Sequence, residues 1–356
     1  MKQKTVSRRM GALVSVFGEV FRTETGQGRE CVVENKIIIE AGQMIKLLRV
    51  LLLLPLVFWL QQSYAAEGGL QPFIEGTALS TSLGDATKTV VAALEKGGFE
   101  VVGHYSPLKN VTIISITSPV MLKNAAATDR GGYGAALSVA LEFVSGKTFL
   151  SYMNPKYVAN GYRLASDNSE VAQALGVILG NEKSFGAKPR TVADLRGYQY
   201  SFGMETFNDP MDLGSFKGFQ TGIQQITSRL RSGADGVHLV YQIKIPGKDE
   251  VVFGVDLASK NPDANGIKLV NTVDSGIPHR YAFLPYEVVL KDRNAEALNL
   301  RFRMALFFPD LPMMGSGGSF FSLRGAPDAI KQVLRKALGG TVISDSNGTN
   351  NGFGSF

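Results

Sequence analysis

Residues 215–255 read SFKGFQTGIQQITSRLRSGADGVHLVYQIKIPGKDEVVFGV, and two periodicities in this stretch decide the fold class. Phe216, Phe219, Ile223, Ile226 and Leu230 recur three and four residues apart, which places them on one buried helix face. Ser215 is the expected cap and Ser232-Gly233 the stop. Val237, Leu239, Tyr241, Ile243 and Ile245 then alternate, Pro246-Gly247 turns the chain, and Val251, Phe253 and Val255 return. A helix followed by a hairpin is the prediction. The same order occurs upstream. Ala86, Val90, Ala93 and Leu94 stripe a helix over 85–96, Gly97-Gly98 ends it, and strands follow at 99–104 and 110–117. Either the chain holds two related units, or so simple a pattern arises twice on its own, since identity between the halves is negligible. Both readings give an α+β protein with two antiparallel-rich sheets, each covered by helices.

Ser118-Pro119 reads as a capped helix start, 133–144 and 147–153 as a hairpin, Asn154-Pro155 as the start of a short helix, and 170–179 as another helix. The polar segment 181–190 suggests a boundary between a first domain, 67–185, and a second, 190–342. In the second, strands are expected at 267–273, 280–290 and 298–308. The last alternates most strictly: Leu298, Leu300, Phe302, Met304, Leu306 and Phe308 on one face, Asn299, Arg301 and Arg303 on the other. A helix over 327–338 follows. Residues 343–356, rich in Gly, Asn and Ser, read as a disordered tail.

Residues 44–66, MIKLLRVLLLLPLVFWLQQSYAA, set a basic start (Lys46, Arg49) before an apolar run and then small residues, the order of a secretory signal. Pro55 interrupts the run, which is short for a membrane span, so no stable span is expected after cleavage. Residues 1–43 precede that signal, and translation starting at Met44 is the simplest reading of them. A twin-arginine signal at Arg8-Arg9 is the weaker alternative, because Glu19 ends its apolar stretch. Export to the periplasm or the outside is the expected localisation.

The single cysteine, Cys31, lies before the signal, so the mature chain of about 290 residues has no disulfide, thiol nucleophile or thiolate metal site. The net charge of +6 falls to +2 without residues 1–65, which carry nine Lys or Arg and five Asp or Glu. That balance points away from nucleic acid.

The first half resembles the family catalogued as domain of unknown function 302. The resemblance rests on Glu95-Lys96-Gly97-Gly98-Phe99 at a helix end, the strand reaching His104-Tyr105, the strand over 111–116, and Asn154-Pro155 with Tyr157. It covers residues 84–164. Ser201-Phe202-Gly203-Met204 and Leu284-Pro285-Tyr286-Glu287 look like parts of longer exported bacterial proteins that carry such a domain. The resemblance implies an α+β domain and supplies no activity, cofactor or catalytic residue.

Candidate site residues fall into three groups. Tyr152, Asn154 and Tyr157, with His104 at a strand end, offer hydroxyl and amide groups for a pocket; core packing explains the tyrosines equally. Arg301 and Arg303 on one strand face would receive a carboxylate or phosphate, or else form a solvated face. Glu205, Asp209 and Asp212 cluster in METFNDPMD and would bind a hard cation, or else decorate a loop packed by Met204, Phe207 and Met211. His104, His238 and His279 show no metal-ligand spacing, and MGSGGSF at 314–320 lacks the lysine of a phosphate loop. No nucleophile motif occurs.

The functional expectation is a non-enzymatic exported protein that binds a small or apolar ligand, or another envelope component, with no cofactor. A hydrolase or cation-binding protein using the acidic loop is one alternative. A structural component of an envelope assembly is another.

Overall fold

The chain follows the same path twice in the structure, a computed structural model that describes residues 69–315 and 318–341. The signal-like stretch, Cys31 and the tail lie outside the described residues. The first round runs β1 (Phe73–Glu75), α1 (Leu83–Lys96), β2 (Glu100–Leu108), β3 (Val111–Thr117), α2 (Pro119–Ala126), β4 (Leu137–Val144), β5 (Lys147–Met153), α3 (Pro155–Gly161) and α4 (Ser169–Leu179). A short strand, β6 (Lys183–Phe185), and helix α5 (Val192–Arg196) lead out of it. The second round runs β7 (Met211–Ser215), α6 (Phe219–Arg231), β8 (Val237–Lys244), β9 (Glu250–Leu257), α7 (Gly266–Val273), β10 (Tyr286–Lys291), β11 (Asn294–Ala297), α8 (Leu300–Phe307) and α9 (Ala326–Leu338).

The first sheet has the order β2-β3-β4-β5-β1-β6 and the second β7-β11-β10-β9-β8, with every pairing antiparallel. In both, four strands form a meander, and the strand that precedes the first helix inserts beside the meander's last member. The α+β class and the helix-covered antiparallel sheets are as the sequence predicts. The repeated order goes further than the helix–hairpin unit alone, because insertion of the first strand and both later helices recur as well.

Local chemistry explains the repeat. The Ser82 side chain caps α1 by accepting from the Asp85 N–H, and Gly98, at φ 86°, releases the chain into β2. β3, VTIISIT, is buried throughout, as a β-branched strand flanked on both sides must be. Asparagine side chains start the helix after each meander: Asn154 accepts from Lys156 N–H and Asn299 from Arg301 N–H.

The two rounds also grip each other reciprocally. In the first, the turn before β4 donates Gly132 N–H to Glu250 Oε1 at 2.7 Å, and Arg130 Nε lies 3.0 Å from Glu296 Oε1. In the second, the turn before β10 donates His279 N–H to Glu142 Oε2 at 3.0 Å, with its Nδ1 2.8 Å from Oε1. Edge strands β2 and β8 meet where Gly103 faces the Val240 backbone. A Cβ at Gly103 would lie 2.2 Å from the Val240 carbonyl oxygen, and backbone yields less than a side chain. Gly103→Val is therefore expected to cost about 1–3 kcal/mol in urea denaturation, and an unchanged midpoint would contradict this contact.

Several elements differ from the sequence reading. Residues 267–273 form helix α7, started by the Asn265 side chain, with Leu269 and Val270 inward; the predicted strand there is wrong. Of 280–290, Tyr281–Phe283 is a 3-10 turn and the strand begins at Tyr286. Similarly, Gly131–Gly134 is a 3-10 turn and the strand expected from 133 begins at Leu137. Ser215 ends β7 instead of capping α6, which starts after Gly218. Residues 183–185, inside the polar segment, add an edge strand to the first sheet.

The largest correction is 298–308, which is helix α8 and not a strand. Arg303, Ala305 and Phe307 are as buried as the apolar residues that alternate with them. A helix buried everywhere except at Arg301 carries no wet face to reveal its period. Tyr157 and Tyr198 donate their hydroxyls to the Leu306 and Ala305 carbonyls, while Arg303 donates to the Phe283 and Pro285 carbonyls. α8 is thus held by both rounds. Among the described residues no helix is long and apolar enough to cross a membrane.

Candidate functional site

One end of α8 leaves the core and floors a cleft. Leu300 and Met304, four residues apart, share a helix face, and Arg301 stands beside them. Residues 201–205 form one wall, a turn through Gly203 (φ 80°) that holds Phe202 almost fully in solvent, at 99% exposure. The opposite wall is the segment before α9. Phe320 N–H donates to the Pro312 carbonyl and Phe321 N–H to the Met313 carbonyl, so Met313 and Met314 are brought over Phe320 and Phe321. Tyr200 joins the walls, its ring 4.6 Å from Phe320 and its hydroxyl on the Leu311 carbonyl.

The cleft encloses about 540 Å³, within the usual range for small-molecule sites. Seven large apolar residues are exposed among the described residues, and four of them line it: Phe202, Met313, Met314 and Phe321. Scattered exposed apolar groups are ordinary on a protein surface, whereas these four converge on one concavity. Methionine adds adaptable, polarisable surface. The cleft's charges are Glu205, Arg301 and Arg324. Arg301 Nη1 lies 2.7 Å from Glu205 Oε1, which also accepts from Asn299. Arg324 stacks over Phe321 at 4.5 Å.

No family model matches the chain, and no curated protein matches it. Among solved structures it is similar to the crystal structure of uncharacterized conserved protein DUF302 from Bacillus stearothermophilus. Identity is 13%, 30% of this chain and 93% of that chain are covered, and the TM-score is 0.27. That is the family residues 84–164 resemble.

The sequence-predicted groups separate in space. Tyr152 donates to the Gly180 carbonyl at 2.9 Å, and burial pushes its hydroxyl up to about 12. Tyr157 is buried on α8, and burial raises its hydroxyl further. Asn154 caps α3 and donates to the Gln71 carbonyl. His104 is exposed on edge strand β2. Tyr152, Asn154 and Tyr157 pack the first round, and none of the four residues lines the cleft described above.

The two arginines, read as neighbours on a strand face, part company on the helix. Arg301 lines the cleft, whereas Arg303 is fully buried between the Phe283 and Tyr286 rings, 4.6 and 4.3 Å away, with Glu287 at 2.8 Å. The buried hydroxyls of Tyr105, Tyr162, Tyr241 and Tyr286 feel this pair of charges. Burial pushes the Glu287 carboxyl up to about 7 against the pull of Arg303.

The acidic trio does not converge. Glu205 pairs with Arg301, and Asp212 sits in β7 beside Arg335. Asp209 accepts from the Thr206 hydroxyl and N–H, which hold it below the usual carboxylate range. Among the described residues no group of three His, Cys, Asp or Glu is placed to hold a metal ion.

Sequence reasoning missed Met304, Met313, Met314, Phe321 and Arg324. One signal was present: PMMGSGGSFF, at 312–321, sets apolar doublets on both sides of a Gly-Ser run. Glycine and serine favour turns, and doublets that flank a turn are brought together.

Proposed function

We propose that this is an exported, non-enzymatic binding protein whose cleft beside α8 takes a small apolar ligand. The convergence of Phe202, Met313, Met314 and Phe321 on a 540 Å³ concavity carries the reading. Export is supported by the basic, apolar and small-residue order of 44–66. An enzyme built on the acidic loop would need converging carboxylates, and Glu205, Asp209 and Asp212 have separate partners.

The test is a titration of the purified protein with N-phenyl-1-naphthylamine, a neutral apolar dye that brightens when sheltered from water. Saturable binding at one site is expected. The double variant Met313→Glu/Met314→Glu places carboxylates on the exposed wall and should weaken binding at least about tenfold while thermal unfolding stays unchanged. Equal binding by both proteins would remove the cleft from consideration.

A further inference from the structure

We infer that the ligand of this cleft is an anionic amphiphile, an apolar body bearing one negative head group, and that Arg324 receives the head group. The inference rests on the cleft being a ligand site and adds the ligand's chemical class.

Three charged side chains line the cavity. Two of them, Glu205 and Arg301, satisfy each other at 2.7 Å, and Asn299 supports the carboxylate at 3.2 Å. The remaining charge is positive. Arg324 belongs to the wall that also carries Phe320 and Phe321, immediately before α9. Its guanidinium lies over the Phe321 ring at 4.5 Å and its Nη1 leans on the Phe321 carbonyl at 3.4 Å. Among the described residues no carboxylate lies within ion-pair distance of it. The ring fixes the plane of the fork at the cleft's edge and leaves N–H donors for an acceptor, a geometry suited to two parallel bonds to a carboxylate. Cationic ligands are disfavoured by the same charge, and a neutral apolar ligand would leave it unused.

A matched series of ten-carbon probes isolates the head group: decanoate, 1-decanol and decyltrimethylammonium. They share the apolar body and differ in charge. In the wild-type protein decanoate is expected to bind about tenfold tighter than 1-decanol, with decyltrimethylammonium weakest. Arg324→Gln should bring the decanoate-to-decanol ratio to about one. Arg324 is exposed, so thermal unfolding of the variant should match wild type.

Each other outcome has a distinct meaning. Equal wild-type affinity for decanoate and 1-decanol overturns the anionic class while the apolar site stands. A preference that survives Arg324→Gln and disappears in Arg301→Gln overturns the role of Arg324. If none of the three probes binds, the reading of the cleft falls as well.

Discussion

At pH 8, where Glu287 is ionised, Arg303→Met is expected to destabilise the protein by about 3–5 kcal/mol, the usual cost of removing one member of a buried ion pair. Arg303 has no exposure, lies 2.8 Å from Glu287, donates to the Phe283 and Pro285 carbonyls, and is sandwiched between two aromatic rings. Removing the guanidinium strands the carboxylate and both carbonyls. Methionine keeps the length of the side chain, so the loss reports charge and hydrogen bonding more than volume. Adding Glu287→Leu removes the stranded carboxylate and should recover about half of the loss, because two apolar groups in a dry core are often no worse than an ion pair. Urea denaturation of the two single variants and the double variant measures this. A double variant as unstable as the sum of the singles would show that the residues act independently.

Stability should fall as the pH rises from about 4.5 to 7. The folded Glu287 carboxyl is raised from 4.5 to about 7, so the folded protein holds this proton more tightly than the unfolded chain does. The contribution is complete below pH 4.5 and is lost as the pH passes through the folded value. At about 1.4 kcal/mol per pH unit, that interval corresponds to about 3 kcal/mol. Burial also raises the carboxyls of Glu250, Asp256 and Glu296, and these act in the same direction. Asp129, Asp167 and Asp209 are lowered, yet they lie near solvent, where such interactions are worth little. Glu287→Gln removes the titrating group and should flatten the curve. Denaturation at pH 5 and pH 8 tests it, and parallel curves for the two proteins would contradict the assignment.

What could be read in advance followed from how the residues meet solvent. α1 and α6 each bury one stripe, and β8 alternates buried and exposed positions, so their periods show in the chain. α8 hides its period. Seven of its residues are buried, and Arg303, a residue that made an outer face plausible, has no exposure at all. An arginine paired with Glu287 inside the core is indistinguishable, in sequence, from one facing water. β6 is three residues long and β7 contains Gly214, too little for alternation to register.

The cleft was legible in fragments. Glu205 and Arg301 were each singled out for a different reason, and their ion pair links positions 96 residues apart. Its other parts come from 201–204 and 313–327, which no local pattern connects. The repeat was half visible: the helix–hairpin unit showed in both halves, but β1 and β7 join their sheets through pairings to β5 and β11 that only the folded chain displays.

The cleft contains its own reporters, since four of the seven methionines among the described residues line it. Methyl-labelled methionine spectra recorded while 1-decanol is added locate an apolar ligand directly. The signals of Met204, Met304, Met313 and Met314 should shift together and saturate, while those of Met121, Met153 and Met211, which do not line the cleft, stay in place. Shifts confined to the core methionines, or none at any of the seven, would contradict a ligand site beside α8.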